Sequence, residues 1–193
     1  MFEMHVWGPA TPTAPLRQRL MRYLSPPLFP VHLRDVPRLE LHDLAGGTFK
    51  IGEFRVTADL VCHPGFTLGY RLETPRGTLA YLSDHEPALG DAHFPGPPEW
   101  TSGYALARDA DLLIHDTQYT RTEYPAHVGW GHSAIDDTLA FAALARVRRL
   151  ITFHHDPAHA DDVLDRLTAD AVAAARPAFA VSPGTEGATF ALP

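Results

Sequence analysis

The sequence predicts a mixed α/β fold in which helices pack on the outer faces of a sheet. Short apolar runs separated by turn signals fill residues 39–83, and a strand–helix–strand–helix pattern fills residues 110–175. The composition agrees, because 45% hydrophobic and 20% charged residues in a chain of 193 are typical of a globular protein with a real core. We therefore expect residues 1–193 to form a single domain.

The first half of the chain predicts a proline-rich excursion followed by strands. Residues 11–37 contain six prolines around one possible short helix at 16–24, a pattern typical of a surface segment. The following residues alternate apolar and polar side chains between Gly-Gly, Gly-Glu and Pro-Arg-Gly turns, which favours hairpin-connected strands. We expect four or five strands, at 39–44, 49–51, 54–62, 66–72 and 78–83.

The second half predicts alternating strands and helices. The apolar run at 110–114 is typical of a buried strand, and a second strand is expected at 150–153. Between them, a helix at 133–147 is expected to begin with Ser133 as its cap, because Asp136 follows three residues later. A last helix is expected at 160–175.

Charge and cysteine content narrow the function classes. The net charge of −7, from 16 basic and 23 acidic residues, is unlike the basic footprint of proteins that bind nucleic acids non-specifically. The lone Cys62 excludes an internal disulfide, which favours a reducing compartment. The opening residues lack the pattern of a secretory leader, and no run of about 18 apolar residues predicts a membrane span. We expect a cytoplasmic protein that does not bind membranes.

Histidine stands out in the composition, with 12 residues against 3 Met and 1 Cys. Polar clusters containing His or Asp follow four predicted strands, where loops place functional groups on a rigid scaffold. These clusters are Cys62-His63-Pro64-Gly65, Ser83-Asp84-His85-Glu86, His115-Asp116-Thr117 and His154-His155-Asp156-Pro157, and a fifth, Gly129-Trp130-Gly131-His132-Ser133, opens a helix. Imidazoles and carboxylates in such a set suit a site for Zn, Mn or Fe.

In this order and spacing, the clusters resemble the metallo-β-lactamase fold superfamily, and within it the branch of ribonuclease Z, phosphodiesterases and related phosphoesterases. The resemblance covers about residues 1–185. It implies an αββα four-layer sandwich and a hydrolase with two divalent metal ions. Zn is the expected metal, with Mn or Fe as alternatives.

The resemblance implies metal-binding roles for three residues. His63 would bind the first metal, His154 would bind the second, and Asp84 would bridge both. A bridging carboxylate offsets the repulsion between two cations, while the shared water is deprotonated to a hydroxide nucleophile. Asp84 is therefore expected to be catalytic as well as a ligand.

The resemblance also implies a pair of residues for proton transfer. His132-Ser133 resembles the His-Ser-Thr motif of the ribonuclease Z branch, and His115-Asp116-Thr117 resembles its His-Glu-Ala-Thr motif. In the family, the carboxylate of the second motif orients the histidine of the first, which binds the scissile phosphate or protonates the leaving oxygen. Asp116, one methylene shorter than Glu, would thus orient His132 as the general acid. Helix capping is the alternative role for His132.

Four further residues are candidates for the surroundings of the site. His155 is expected to orient its neighbour or contact its own loop rather than bind metal. His85 is expected to support the adjacent carboxylate, line the pocket or face solvent, and His115 is expected to anchor its loop. Trp130 lies between two glycines and would either stack on a substrate ring or cover the domain edge.

One expected motif does not occur in the chain. The superfamily signature His-x-His-x-Asp-His, which supplies ligands to both metals, is missing, and Asp84-His85 is the only Asp-His pair. The resemblance therefore implies an N-terminally truncated domain, about the C-terminal two-thirds to three-quarters of the usual fold, with an incomplete first metal site. Unpaired strand edges in such a domain favour association, either as a homodimer or with a completing chain.

The leading hypothesis is a metal-dependent phosphodiesterase that uses a metal-bound hydroxide. Its substrate would be a cyclic nucleotide, another cyclic phosphate or an RNA 3′ end, and the net charge favours a small phosphodiester over nucleic acid. The alternative is a truncated, non-catalytic domain that needs a partner chain to complete its metal site. Hydrolysis of a lactone or thioester on the same scaffold is disfavoured by the His132-Ser133 match.

Overall fold

The computed structural model describes residues 3–91 and 93–192. Within it the chain divides into two compact units, Met1–Gly47 and Thr48–Pro193.

The first unit is built on a pair of parallel strands. Strand β1 (Met4–Pro9) pairs with β2 (Leu39–Leu44), and helix α1 (Leu16–Tyr23) lies between them in the chain. The start of the helix is tied to β2, because the Leu16 amide donates to Asp43 Oδ1 at 2.8 Å. The short helix and the second strand were predicted.

The predicted meander is wrong at its first connection. The sequence places 39–44 in a run of hairpins, but β2 pairs in parallel with β1, a strand that no local turn signal announces. Gly46 and Gly47 adopt φ angles of 104° and 111°, which only glycine reaches easily, so the chain leaves β2 without forming the expected hairpin with the next strand.

The second unit contains a seven-stranded sheet in the order β3-β4-β5-β6-β7-β8-β9. Its strands are β3 (Gly47–Ile51), β4 (Phe54–Leu60), β5 (Leu68–Thr74), β6 (Gly77–Leu82), β7 (Leu112–Asp116), β8 (Arg149–Phe153) and β9 (Ala180–Pro183). Strands β4, β5 and β6 pair antiparallel, as the predicted hairpins require. From β6 to β9 every pairing is parallel. The mixed α/β class is therefore confirmed.

Three helices connect the parallel strands: α2 (Tyr104–Ala107), α3 (Ile135–Leu144) and α4 (Asp161–Ala175). They share one hydrophobic core with the sheet, and its largest fully buried members include Leu82, Leu113, Leu150 and Phe141. Across the described ranges, no helix has the length and apolar character needed to cross a membrane.

The predicted cap of α3 is wrong. The helix begins at Ile135, and its N-cap is Ala134, whose methyl side chain cannot cap. Ser133 lies one residue earlier with 1% of its surface exposed, and its hydroxyl donates to the His85 carbonyl at 2.6 Å. The Ser133 hydroxyl therefore joins the helix entry to the end of β6.

Candidate metal centre

The functional clusters meet at one edge of the sheet. Strands β6, β7 and β8 are parallel neighbours, so their carboxyl ends lie side by side. Asp84 follows β6, Asp116 ends β7 and His154 follows β8. His63 follows β4, and His132 precedes α3. This edge is where open α/β sheets place their binding sites.

Two groups of side chains at this edge can hold a metal ion. One consists of His63, Asp84 and His132, and the other consists of Asp116, His132 and His154. Within each group, the donor atoms lie within 4.8 Å of one another. All three residues predicted as ligands are present, and His132, predicted as an acid, is common to both groups.

Asp116 is buried and bonded at both oxygens. Its Oδ2 lies 2.7 Å from His132 Nδ1, and its Oδ1 accepts hydrogen bonds from the amides of Gln118 and Ser133, each at 3.0 Å. An isolated parallel bridge between Tyr119 and Ala134 brings the two loops together. The aspartate therefore reaches the histidine despite being one methylene shorter than glutamate.

His154 occupies an unusual backbone position. Its φ is +56°, in the left-handed region that few non-glycine residues adopt. Thr117 holds this turn, since both its amide and its hydroxyl donate to the Phe153 carbonyl, at 2.9 and 3.0 Å. Such outliers cluster at functional sites, where the surrounding structure holds them in place.

The His154 ring lies between two carboxylates. Its Nε2 is 3.4 Å from Asp84 Oδ1 and its Nδ1 is 3.7 Å from Asp116 Oδ2. It stacks on His132 with ring centroids 4.8 Å apart. Nδ1 is buried, and within the described residues it has no hydrogen-bond partner. A buried nitrogen without a partner is unusual, and a metal ion would satisfy it.

His63 is fixed by its own loop and by a glycine. Its Nδ1 lies 3.0 Å from the Thr67 hydroxyl and accepts the Gly65 amide at 3.2 Å. A Cβ at Gly131 would overlap the imidazole of His63 and come within 2.6 Å of the Pro64 ring. Glycine at 131, with a φ of +92°, therefore lets the loop of His132 pack directly against His63.

The pKa values of His63 and His132 are shifted in opposite directions. Burial, followed by the neighbouring His132, lowers the pKa of His63, which favours the neutral form that binds metal. For His132, burial opposes the charge, but the hydrogen bond and charge of Asp116, with Asp84 and Glu86, raise the pKa.

His85 and His115 lie beneath the site, not in it. Both are fully buried, and His85 Nδ1 is 2.9 Å from His115 Nε2. His85 Nε2 is 3.1 Å from the Ser102 hydroxyl, and His115 Nδ1 is 2.8 Å from the Asp116 carbonyl. Burial, and then the proximity of His115, lowers the pKa of His85 well below its usual value. The structure therefore places His85 away from solvent.

His155 and Trp130 have different surroundings. His155 belongs to neither metal-capable group, and its Nδ1 lies 3.4 Å from the Thr117 hydroxyl. Trp130 is 60% exposed and touches His127 edge to face, with centroids 4.9 Å apart. Most of the tryptophan side chain is thus in contact with solvent.

The residue that sequence reasoning missed is Glu86. It stands in the cluster after β6, but its type and position give no sign that it is 1% exposed and bonded to a distant loop. The one signal in the sequence was its place two residues after Asp84.

The donor set fits a transition metal. Imidazole nitrogens and carboxylate oxygens are the ligands that Zn, Mn and Fe share, and the unpartnered His154 nitrogen is one of them. The described residues thus contain candidate His/Asp sites for metal ions.

Comparison with known proteins identifies the family. Residues 3–155 match the family model described as the beta-lactamase superfamily domain. A search of curated proteins gives no match.

Solved structures show the same fold. The metallo-beta-lactamase fold protein YhfI from Bacillus subtilis superposes with a TM-score of 0.66 at 14% identity, covering 95% of this chain and 63% of that one. The short form of human tRNase Z gives 0.63 at 18%, covering 99% and 68%. Zn²⁺-bound PqqB from Methylobacterium extorquens gives 0.62 at 16%, covering 94% and 63%. This chain thus spans about two-thirds of the length of these proteins, and it belongs to the metallo-β-lactamase superfamily.

Proposed function

We propose that this protein is a metal-dependent hydrolase of phosphodiesters. The observation that carries the proposal is the 2.7 Å contact between Asp116 and His132, placed beside the metal-capable residues His63, Asp84 and His154. An oriented imidazole next to a metal site supplies both a proton donor and a place for an anionic substrate.

Different residues of the chain would bind the metal ions and transfer the proton. His63, Asp84 and His154 would hold two divalent ions, with Zn²⁺ favoured by the imidazole-rich donor set and Mn²⁺ or Fe as alternatives. When bound, the ions supply Lewis-acid polarisation of the phosphate and activation of water. His132 donates its Nδ1–H to Asp116, and the raised pKa of His132 favours the imidazolium, which also carries a proton on Nε2. His132 would give this Nε2 proton to the leaving oxygen and return to the neutral imidazole.

We further propose a small phosphodiester as the substrate, such as a cyclic nucleotide or another cyclic phosphate. The net charge of −7 and the carboxylates of Asp84, Glu86 and Asp116 around His132 disfavour a long polyanion. The exposed Trp130 ring, two residues before His132, suits stacking on a base. A cytoplasmic location agrees with such a substrate.

The test is hydrolysis of bis(p-nitrophenyl) phosphate by the full chain. We expect activity that is lost in a chelator, restored by Zn²⁺ or Mn²⁺, and reduced at least about 100-fold in Asp84→Asn. His93→Ala, an exposed histidine outside both donor groups, is the matched control and should behave as wild type. Cleavage of a lactone or thioester without cleavage of the diester would contradict the proposal.

A second candidate function follows from the number of donors. The leading proposal gives two ions three protein ligands, and even the five residues of the two groups are fewer than the eight that two closed four-coordinate sites would take. We propose as the alternative a domain that completes its site with another chain, either a second copy or a different protein. Metal content and molar mass measured on the same sample test this alternative. Two bound ions in a monomeric chain would contradict it.

A further inference from the structure

Glu86 is a buried carboxylate with three hydrogen-bond donors from one distant loop. Its Oε1 accepts the Tyr124 hydroxyl at 2.7 Å and the Gly129 amide at 2.8 Å, and its Oε2 accepts the Gly131 amide at 2.8 Å. The residue is 1% exposed. Burying a charge is costly unless hydrogen bonds compensate it, and these three bonds do so.

The backbone of Glu86 joins two further parts of the site. Its amide donates to the Cys62 carbonyl at 3.0 Å, which fixes the residue directly before His63. Asp84 lies two residues earlier in the same turn. The segments that carry His63 and Asp84 therefore meet at the Glu86 main chain.

The side chain of Glu86 contacts the segment that carries His132, the third residue of this group. Gly131, which it holds, directly precedes His132 and packs on the His63 imidazole. His63, Asp84 and His132 are together one of the two metal-capable groups. A single carboxylate thus connects the three loops that build that group.

We propose that Glu86 is a positioning residue: by clamping the 124–131 loop, it sets the spacing of the metal-binding residues His63 and Asp84 and of the acid His132 beside them. The proposal rests on the proposed function, because it assumes that His63 and Asp84 bind a metal ion. Glu86 itself is not a ligand, since both of its oxygens are occupied by the loop.

The chemistry of the clamp requires a carboxylate of this length. Glutamine would place its NH₂ group against at least one of the three donors, so a hydrogen bond would be replaced by repulsion between two donors. Aspartate is one methylene too short to reach the same amides. Burial, with the hydrogen bond to Glu86, raises the pKa of Tyr124, so the phenol keeps its proton and donates.

The experiment measures Zn²⁺ affinity by competition with a chromogenic chelator, and the absorption spectrum of the Co²⁺ form, in wild type and three variants. Glu86→Gln removes the clamp. Tyr124→Phe removes one bond and keeps the charge of Glu86. Glu123→Gln is the matched control, since Glu123 caps a turn of the same loop through Thr120, away from both donor groups.

We expect Glu86→Gln to weaken Zn²⁺ binding about 10- to 100-fold and to alter the Co²⁺ spectrum, in protein that circular dichroism shows to be folded. Tyr124→Phe should change the Zn²⁺ affinity and the Co²⁺ spectrum in the same direction by a smaller factor. Because this variant keeps the Glu86 carboxylate, its effect separates positioning from the loss of a nearby negative charge. The control should match wild type in both readouts.

Folded Glu86→Gln with wild-type affinity and spectrum would overturn the proposal. If that variant does not fold, Tyr124→Phe decides, and unchanged affinity and spectrum there would overturn it. Wild-type protein that binds no Zn²⁺ would instead contradict the proposed function and the clamp together. Weakened Zn²⁺ binding in Glu123→Gln as well would also overturn the proposal. The effect would then follow from any change in the loop and not from the loss of the Glu86 carboxylate.

Discussion

At the scale of single residues, Asp116 does more than orient one ring. Its Oδ2 faces both His132 Nδ1, at 2.7 Å, and His154 Nδ1, at 3.7 Å. Because both rings turn this nitrogen to the same carboxylate oxygen, their Nε2 atoms are directed away from it. Asp116 thus orients the His132 ring through a hydrogen bond and lies beside the His154 ring without bonding to it.

The acid role of His132 predicts a dependence on the leaving group. His132→Gln should reduce kcat about 10²- to 10⁴-fold for a diester with a poor leaving group, such as an alkoxide. For p-nitrophenolate, which leaves without a proton, the loss should be small. Kinetics on the two substrates, with metal content measured in parallel, check this. Equal losses together with lost metal would show that His132 acts as a ligand instead.

The left-handed backbone of His154 predicts a contrast between two substitutions. An alanine there keeps the steric strain of a φ of +56°, whereas glycine adopts it freely. In metal-free protein, His154→Gly should therefore be more stable than His154→Ala by about 1 kcal/mol. Denaturant unfolding of both variants measures the difference. A more stable alanine variant would show that the turn relaxes when the ring is removed.

The sequence could gather these residues but not their geometry. Asp116 and His132 were paired by motif order, yet the bonds from Gln118 and Ser133 that hold the carboxylate depend on a contact between two loops. The sequence places Glu86 in the cluster after β6 but indicates no role for it, since the partners of its side chain lie more than 35 residues away. Contacts of this range leave no local pattern in a sequence.

At the scale of elements, the loop after β7 contains a reciprocal cap. The Glu123 carboxylate accepts the Thr120 amide at 2.8 Å, and the Thr120 hydroxyl accepts the Glu123 amide at 3.3 Å. His159, from the loop after β8, is 2.8 Å from the same carboxylate. This Thr-x-x-Glu box begins the turn Tyr124–Ala126 and links the two loops.

This cap predicts a pH dependence. Burial opposes ionisation, but the hydrogen bonds from Thr120 and His159 lower the pKa of Glu123 below its ordinary value of 4.5. The unfolded chain therefore takes up the proton first, so the stabilisation is complete above about pH 4.5 and disappears as the pH falls through the folded-state pKa.

Glu123→Gln measures that contribution. Since the side chain is partly exposed, the variant should lose about 1 kcal/mol of unfolding free energy at neutral pH. The difference from wild type should shrink below pH 4.5. Chemical denaturation of both proteins across pH 3 to 7 tests it, and a difference independent of pH would contradict the charge as its source.

The elements themselves were predicted unevenly. Strands β4, β5, β6 and β8 lie close to their expected places, because alternation and turns mark them locally. Strand β1 was missed, and β2 was given the wrong partner, because their parallel register joins residues 35 apart, as in Met4 and Leu39. Parallel pairing over such a distance has no turn to announce it.

At the scale of the whole molecule, metal binding predicts a gain in stability. A ligand that binds only the folded state adds about 2.7 kcal/mol at 100 times its Kd, which for a chain of this size raises Tm by about 5–10 °C. We expect this shift with Zn²⁺ in wild type and a much smaller one in Asp84→Asn. Thermal unfolding with chelator or Zn²⁺ measures it, and equal shifts in both proteins would place the ion elsewhere.

The fold class followed from the sequence more readily than the division into units. A sheet that turns from antiparallel to parallel at β6 is visible in the change from hairpins to alternating helices. The boundary at Gly47 and Thr48 falls inside a stretch that the sequence predicts as continuous meander. The pairing of β1 with β2 lies within the first of these units.

The carboxylates of Asp84, Glu86 and Asp116, which surround His132, have a consequence for the order of events. In the metal-free protein these negative charges disfavour an anion beside His132, and a phosphodiester is an anion. Under the proposed function, cations would have to bind first and reverse the local potential before a phosphodiester could bind. A non-hydrolysable diester should therefore bind only after the site has been loaded with metal.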